Sequence, residues 1–433
     1  MNRIQKILGV FLLLSLLIPL ASWAEEKQTL TGSITLAQAL QITLLQNPEL
    51  QAYSYEIRAR EAQTLQAGLV TNPKLNVEVE NAGGSGNFNG FDQSETTIQL
   101  SQLVELGDKR KLRKSSANLS KELAGWDYEV QRLEVFTRVS QSFIHVLKAQ
   151  QKVSLAGERV KLARKFLSTV TERIKAGKVA AIEKIKVEVA LANMQIEEER
   201  AIMELENTRR KLSILWGETK PQYDSAQGDF FSVKDRALPK AEILSSNPSL
   251  SKWSTELDHR QAELDVEISK TIPDLTLSGG YRRLEQTGDN TLVFGLTVPL
   301  QWFDHNQGSI AKARHRLSKA QEEKKAEALK IEGALLQAHS DVSFSHSRVL
   351  SIKTEVLPAA ERAFDAISEG YSFGKFALLD VLDSQKMLFK LQNQYLDALA
   401  NYHNAVSTVE RLTGIDPAVL NQIQENGKGE KQP

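Results

Sequence analysis

An internal repeat is the sequence feature that most constrains how this chain of 433 residues can fold. Matching residues recur at an offset of about 197 to 200 positions. The matched positions are Asn47-Pro48 with Asn247-Pro248, Pro73 with Pro273, Gly177-Lys178 with Gly374-Lys375, and Gly217 with Gly414. Residues that cap or break helices are placed alike in both halves. We therefore expect each half to fold into the same series of helices and strands.

Each half contains two short segments in which apolar and polar residues alternate, which is the period of a β-strand. In the first of them, Leu75, Val77 and Val79 alternate with polar residues. The alternation predicts four strands, at about 74–81, 95–103, 274–284 and 290–299. Each would have one apolar and one polar face. That pattern fits either a half-buried hairpin of a soluble sheet or a wall between lipid and water.

Long helical segments follow each pair of strands. We predict one helical hairpin at 107–217, where proline is absent, and a second at 306–414. The first arm of the first hairpin would be on the order of 100 Å long, at about 1.5 Å per residue. After Leu378, apolar residues recur with a seven-residue period, which is typical of helices wound around neighbours. A shorter helix is expected from Ser33 to Gln46, capped by Ser33, and Pro358 is expected to begin another helix.

The first 24 residues have the pattern of a secretory signal peptide. Arg3 and Lys6 precede an apolar core from Val10 to Leu20, and Ser22-Trp23-Ala24 offers a cleavage site. A membrane anchor is less favoured, because the apolar run is short. The mature chain is therefore expected to be exported by a bacterium. The predicted segments are a signal peptide at 1–24, a first repeat at 25–220, an irregular connector at 221–240, a second repeat at 241–416 and a polar tail at 417–433.

The composition argues against several classes of protein. The chain has no cysteine, which excludes disulfides, thiolate metal sites and a lipid-modified N-terminal cysteine. Lys+Arg and Asp+Glu both number 54, and no basic cluster with interleaved aromatic residues predicts nucleic-acid binding. Common catalytic motifs are absent, so we expect neither an enzyme nor a cofactor. His305, His339 and His346 lack the spacing of a metal site, which favours surface or packing roles.

Four strands are too few to close a barrel in a membrane, and open sheet edges are not stable in lipid. If the strands lie in a membrane, copies of the chain must complete the barrel as a ring. The long helices would then continue the barrel as a tube. A protein of another class, a periplasmic coiled-coil scaffold or adaptor, would explain the helices. It would not explain four alternating strands placed alike in both halves.

Four stretches carry a resemblance to a known family. They are AGLVTNPKLNVEVEN from Ala67 to Asn81, GFDQSETTIQLSQLVELGDKR from Gly90 to Arg110, LTVPL from Leu296 to Leu300, and EGYSFG with LLDVLD between Glu369 and Asp383. Through them the mature chain resembles the TolC-type outer-membrane efflux channels, in particular the CzcC-like subunits of heavy-metal cation efflux systems. The segments around Asn72 and Glu105-Leu106-Gly107 are specific to the metal-cation branch, whereas the last pattern belongs to the wider family.

The resemblance implies a mainly α-helical fold with a membrane β-barrel portion. It implies a homotrimer that shares one twelve-stranded barrel and a helical tunnel across the periplasm, with two repeats of helix, two strands and helical hairpin in each chain. The implied location is the lipid of the bacterial outer membrane. The implied partners are a periplasmic adaptor (membrane fusion protein) and an inner-membrane resistance-nodulation-division pump. The implied function is export of heavy-metal cations of the Co/Zn/Cd/Cu/Ni class from periplasm or cytoplasm to the outside; an exit duct for drugs or secreted proteins is the alternative.

The resemblance also points to residues at the tip of the second hairpin. Tyr371, Asp380 and Asp383 match positions that constrict the family's periplasmic opening. Phe376 stands where the family often has an arginine, and Lys375 is a candidate substitute for that arginine. Independently of the family, rings of three aspartates would attract cations and repel anions. The residues expected to contact the adaptor lie at the two hairpin tips and are Gly177, Lys178, Gly374 and Phe376.

Overall fold

The computed structural model describes residues 32–233 and 247–414. The expected signal peptide, the whole expected tail and part of the expected connector lie outside these ranges. The described chain is mainly helical, as predicted. Its α-helices are α1 Leu36–Gln46, α2 Pro48–Ala67, α3 Lys109–Lys175, α4 Ile182–Ile214, α5 Pro248–Ser269, α6 Gln307–Ser351, α7 Leu357–Ser372 and α8 Leu378–Thr413. Its strands are β1 Gly32–Thr35, β2 Lys74–Glu80, β3 Glu95–Val104, β4 Tyr223–Gln227, β5 Leu275–Leu284 and β6 Asn290–Thr297.

In each half, an asparagine begins a helix and also links it to a distant helix. Asn47 Oδ1 accepts the N–H of Leu50 at 2.9 Å at the start of α2, and its Nδ2 donates to the Leu215 carbonyl at 2.6 Å. Asn247 caps α5 in the same way, and its Nδ2 donates to the Leu412 carbonyl at 2.7 Å. The proline after each asparagine fits the first helical turn, where no N–H is needed. The Asn-Pro dipeptide thus joins the start of each half to the end of its hairpin.

The strands β2, β3, β5 and β6 form one antiparallel sheet in that order. In its register Val77 pairs with Ile98, Ile98 with Tyr281, and Tyr281 with Leu292. Because side chains alternate between the faces of a strand, this register places most of the large apolar residues of the four strands on one face. That face is exposed: the side chains of Val77, Ile98 and Leu292 are 59%, 46% and 69% exposed.

The opposite face of this sheet is polar and internally hydrogen-bonded. Arg282 donates to a Glu95 carboxylate oxygen at 2.9 Å and to Thr97 Oγ1 at 2.9 Å, and its guanidinium also lies 3.5 Å from Glu80. Gln99 donates to Ser278 Oγ at 2.9 Å. The sheet therefore separates a polar surface from an exposed apolar one.

A second, smaller sheet corrects two expectations. Strand β1 pairs in parallel with β4, so Tyr223–Gln227 is a strand and not part of an irregular connector. Ser33 lies within β1 and does not cap the first helix. The cap is Thr35, whose hydroxyl accepts the N–H of Gln38 at 3.3 Å while the Gln38 side chain accepts the N–H of Thr35 at 2.8 Å. This reciprocal pair is a capping box.

Two very long helices form the body of the molecule. Helix α3 has 67 residues. Helix α6, five residues of π-helical geometry at Ile352–Val356, and α7 form one continuous helix of similar length. Pro358 therefore lies inside a long helix and does not begin a separate one. Proline has no N–H to donate to the backbone carbonyl of the fourth residue before it, and the wider π-helical turn accommodates the missing hydrogen bond. None of the helices in the two described ranges combines the length and apolar character needed to cross a membrane.

The helices pack around two apolar clusters. The larger cluster joins α1, α3, α6 and α8 to the small sheet, and it buries Trp216 and Tyr223 almost completely. The smaller cluster lies near the ends of the two hairpins. It brings together Val170 of α3, Val187 of α4 and Phe364 of α7 with residues from the start of α8. The two hairpin ends are therefore packed against each other within one chain.

Candidate functional site

The turns at the two hairpin tips have the same backbone geometry. Gly177 and Gly374 adopt φ values of 68° and 79°, in the left-handed region that glycine enters at little cost. The lysine that follows each glycine donates its N–H back to the end of the preceding helix. These bonds join Lys178 to the Arg173 carbonyl at 2.9 Å and Lys375 to the Gly370 carbonyl at 2.8 Å. Both tips thus end their first helix with the same capped turn.

Tyr371 connects the second hairpin to the first. Its side chain is 2% exposed, and its ring lies 5.5 Å from the Phe166 ring and 4.6 Å from the Arg173 guanidinium. The hydroxyl donates to Glu183 Oε2 at 2.6 Å, and Arg173 donates to the backbone carbonyl of Tyr371. One residue at the end of α7 is therefore bonded to both α3 and α4.

The environment of the Tyr371 hydroxyl favours its protonated, donating form. Burial raises the pKa of this phenol, and the hydrogen bond to the Glu183 carboxylate raises the pKa further. The hydroxyl is therefore a donor over the whole physiological range. A hydrogen bond to a charged partner contributes about 1.5–3 kcal/mol, so this bond stabilises the contact between the two hairpins.

Asp380 and Asp383 lie on the exposed side of α8, away from Tyr371. The buried side of the same helix carries Leu378 and Val381, which are 4% and 1% exposed. Asp380 accepts the N–H of Ala377 at 2.9 Å, so it also caps the first turn of α8. Asp383 is one turn farther along and exposed. The structure thus places Tyr371 in the contact between the hairpins and both aspartates on a free surface.

The other residues singled out by the sequence surround the turns. Phe376 lies directly against Gly370, so closely that its ring leaves no room for a Cβ on that glycine. Phe376 is 46% exposed, so part of its ring remains available for contact. The side chains of Lys178 and Lys375 are exposed at the ends of the two hairpins.

Two residues at this site were not found by reasoning from the sequence. Glu183 could have been found from the internal repeat, because the offset that relates Gly177 to Gly374 also relates Glu183 to Asp380. The same offset relates Arg173 to a glycine, Gly370, so the repeat does not point to Arg173.

Arg159 also went unnoticed, because arginine at a helical position is usually taken as a surface residue. It donates to the Phe389 carbonyl at 2.9 Å, to Gln392 at 3.1 Å and to Asn393 at 3.3 Å. Burial lowers the pKa of its guanidinium to about 10. This side chain holds α3 against α8 above the tips without a carboxylate in direct contact.

His346 and His403 have packing contacts, whereas His305 is exposed. His346 lies 6.0 Å from the Tyr402 ring, and His403 Nε2 lies 2.9 Å from the Phe230 carbonyl. Within residues 32–233 and 247–414, no group of three or more His, Asp or Glu side chains is arranged to hold a metal ion.

The arrangement at the tips can act electrostatically and mechanically, through exposed acids and through the contacts of Tyr371.

Comparison with known proteins gives a consistent picture. A family model described as outer membrane efflux protein matches residues 39–218 and 241–415. The cobalt-zinc-cadmium resistance protein CzcC of Cupriavidus metallidurans is 34% identical over 385 residues, which cover 88% of this chain and 90% of the relative. The nickel-cobalt-cadmium resistance protein NccC of Alcaligenes xylosoxydans is 25% identical over 297 residues, 67% of this chain and 68% of the relative. A crystal structure of CusC superposes with a TM-score of 0.76 at 15% identity, covering 87% of this chain and 91% of that one.

Proposed function

Because this chain belongs to the outer membrane efflux protein family, we propose that it forms the outer-membrane channel of a tripartite system that exports heavy-metal cations. The resemblance to TolC-type channels is confirmed, and this membership identifies an efflux protein of the outer membrane and not an enzyme. The observation that carries the proposal is the sheet of β2, β3, β5 and β6. Its exposed apolar face is joined to helices on the order of 100 Å long, as a channel that crosses a membrane and a periplasm requires.

The exposed face of the sheet fits a lipid environment. Its apolar side chains are flanked by Trp302 and Phe303, which follow β6 and are 73% and 90% exposed. Large aromatic side chains at the end of a membrane sheet match the girdles that lie at the interface between lipid and water. Phe88 and Phe91, in the loop at the other end of the sheet, are 47% and 69% exposed and fit a second girdle.

The open edges of the sheet support a ring of three copies. In the described residues, β2 pairs with β3 alone and β6 pairs with β5 alone. Since strand directions alternate from β2 to β6, the β6 edge of one copy would pair in antiparallel fashion with the β2 edge of the next. Three copies give a twelve-stranded barrel. In this arrangement 25–220 and 241–416 are the two repeats of each chain, and 1–24 is a removed signal peptide.

The hairpin tips would close the tunnel at its periplasmic end. The contacts of Tyr371 with Glu183 and Arg173 hold the tips together, and the exposed Asp380 and Asp383 would form acidic rings at the mouth. Such rings concentrate cations, and repulsion between their negative charges favours opening unless nearby positive charge balances it. Lys375 is close enough in sequence to supply part of that positive charge.

The exposed tips are also where partners would dock. A periplasmic adaptor would contact Gly177, Lys178, Gly374 and Phe376, because these residues lie at the ends of the molecule farthest from the sheet. The adaptor would connect the channel to a resistance-nodulation-division pump in the inner membrane. Export to the outside would take its energy from that pump, because a channel wall supplies none.

The substrate proposal rests on the relatives, whose names describe resistance to cobalt, zinc, cadmium and nickel. Its test is growth of the native bacterium with and without this chain in graded Co²⁺, Zn²⁺, Cd²⁺ and Ni²⁺, with organic antimicrobials as the control. We expect deletion to lower tolerance to at least one metal severalfold and to leave tolerance to the organic compounds unchanged. The reverse result would assign the channel to drugs.

The gate proposal has its own test, which is single-channel conductance in planar bilayers. The double variant Asp380→Ala/Asp383→Ala removes the proposed acidic rings while Tyr371 and Glu183 remain. We expect weaker cation preference and weaker block by divalent cations, because the attracting charges are lost. Unchanged selectivity and unchanged block would show that the mouth lies elsewhere along the channel.

A further inference from the structure

A groove between helices α3 and α4 has a basic and polar wall. It has a volume of about 630 Å³ and lies near the middle of α3. The side chains in its wall that can donate hydrogen bonds include Ser142, His145, Lys152, Arg200, Asn207 and Lys211. One carboxylate, Glu204, lies among them. Donors of this kind, several of them charged, are those that proteins use to bind oxyanions.

The positive charge in this groove is only partly balanced by acids. Lys152 pairs with Glu204 at 3.2 Å, and Arg200 lies 3.8 Å from Glu197 in an exposed pair. Exposed pairs of this kind contribute little free energy, so either cation can turn to another partner. Lys211 has no hydrogen bond or ion pair within residues 32–233 and 247–414. Net positive charge therefore remains in the groove.

The imidazole of His145 responds to this charge. Partial burial lowers the pKa of His145, and neighbouring positive charges lower it further, against the opposite effect of Glu204. These positive charges belong to Lys148, Lys211 and Lys152. Lys148 is paired with Asp397 at 2.6 Å, so that acid is already engaged. The cations thus act on one another at close range, and a bound anion would relieve their repulsion.

The groove lies on the side of the helices that faces away from the small sheet. On α3, Gln150 faces that sheet, because its side chain forms hydrogen bonds of 2.7 and 3.0 Å with the backbone of β4. On α4, Arg209 faces it and donates to a backbone carbonyl of β4. Lys152 and Lys211 each follow these residues by two positions, which turns them about 200° around their helices. The small sheet and the groove therefore lie on opposite sides of the helical wall.

The groove also lies on the side of α3 that continues the polar face of the large sheet. Glu105, directly after β3, continues the alternation that places Glu95 and Gln99 on that face. Arg113 of α3 donates to Glu105 at 3.0 Å. His145 follows Arg113 by 32 residues (145 minus 113) of one unbroken helix, which is about nine turns, so both lie on the same side. In the channel proposed above, this side faces the lumen.

We propose that the groove is a binding site in the lumen wall for oxyanions with two or more negative charges, such as phosphate or a polycarboxylate. Lys152, Arg200 and Lys211 would supply positive charge, and Ser142 and Asn207 would donate further hydrogen bonds.

The position of the groove gives such binding a consequence for export. Three copies would place three grooves in a belt along the duct, between the acidic mouth and the barrel. An unoccupied belt would repel cations, and bound oxyanions would remove that barrier. The location in the lumen rests on the channel proposed above, whereas binding of the anion requires only the groove within one chain.

Calorimetric titration of the purified full chain with inorganic phosphate, at constant ionic strength, tests the site. The variant Arg200→Gln/Lys211→Gln removes two charges from exposed positions of the groove. The control Arg314→Gln/Lys324→Gln removes the same two residue types from exposed positions of α6 outside the groove. We expect saturable binding to the natural chain, at least tenfold weaker binding to the groove variant and less than a twofold change in the control. Citrate, titrated in the same way, is the larger probe.

Conductance in planar bilayers tests the location of the site. The ratio of cation to anion permeability should be severalfold higher in the groove variant than in the natural channel, because positive charge has been lost from the lumen. Phosphate should raise the cation current of the natural channel and leave that of the groove variant unchanged. The control variant should behave like the natural channel in both respects.

The outcomes separate this proposal from that of metal export. If neither phosphate nor citrate binds saturably to the natural chain, or if the groove variant binds as well as the control, the site is wrong. If binding is lost in the groove variant while ion selectivity stays unchanged, the groove lies outside the conducting path and its assignment to the lumen is overturned. Neither result depends on the growth test with metals, which can fail while the anion still binds.

Discussion

The two hairpin tips share a backbone and differ in charge. Both turns place a glycine at positive φ and a lysine after it, with nearly identical hydrogen bonds. The exposed charged residues around the first tip are mainly cations: Lys175, Lys178, Lys184 and Lys186. Those around the second are mainly acids: Asp365, Glu369, Asp380 and Asp383. The turn is the same because glycine adopts its positive φ at little cost, whereas the exposed charges beside the two turns are mostly opposite in sign.

The helices that lead into the two tips also differ. Helix α3 reaches the first tip as one α-helix, whereas the second tip is reached through the π-helical turn Ile352–Val356 and Pro358. A π-helical turn and a proline both weaken the regular ladder of backbone hydrogen bonds. We therefore expect the second hairpin to bend more easily than the first. The contacts of Tyr371 are what hold its end in place.

The largest expected difference between the tips concerns Tyr371 and the equivalent position in the first hairpin, Ile174. Tyr371→Ala removes a buried ring and its hydrogen bond, which should cost about 3–5 kcal/mol. Ile174→Ala should cost about 1–2 kcal/mol, because Ile174 is only partly buried against the same cluster.

Thermal unfolding of both variants, followed by circular dichroism, measures this comparison. Conductance should also increase for Tyr371→Ala and remain near the original value for Ile174→Ala. Equal losses of stability and equal conductance in the two variants would mean that Tyr371 does not hold the hairpins together more strongly than Ile174 does.

A smaller effect should come from the single bond between the tips. A double-mutant cycle with Tyr371→Phe and Glu183→Ala isolates it, because the phenylalanine keeps the ring in place. We expect a coupling free energy of about 1.5–3 kcal/mol, as found for hydrogen bonds to a charged group. Additive effects of the two substitutions on unfolding would show that the hydroxyl and the carboxylate do not interact in solution.

The smallest predicted effect tests whether the two turns are equivalent. Gly177→Ala and Gly374→Ala each place a Cβ on a residue at positive φ, which should cost about 1–2 kcal/mol. Neither position has a neighbour close enough to add a clash. The two midpoints of thermal unfolding should therefore fall by similar amounts. A markedly larger fall for Gly374→Ala would show that the second tip is the more constrained one.

Several local features could be predicted because they depend on neighbours in sequence. Alternation of Leu75, Val77 and Val79 reflects the two faces of β2, and Gly177 and Gly374 mark turns that only glycine enters readily. The helix start predicted at Pro358 was wrong, since a proline is as compatible with a π-helical turn before it as with a new helix. Strand β4 went unnoticed because it is five residues long and its partner β1 lies far away in the chain.

The sequence by itself determined the long helices, the four amphipathic strands, the two turns and the family, because each is encoded in local period, special backbone angles or similarity. Only the tertiary structure decided how the tip residues are used. It placed Tyr371 against Glu183 and Arg173, left Asp380 and Asp383 exposed, and buried Arg159 between α3 and α8. These arrangements join residues about 190 to 230 positions apart. Packing between whole helices sets such contacts, and the period of a single helix does not reveal which neighbour each side will meet.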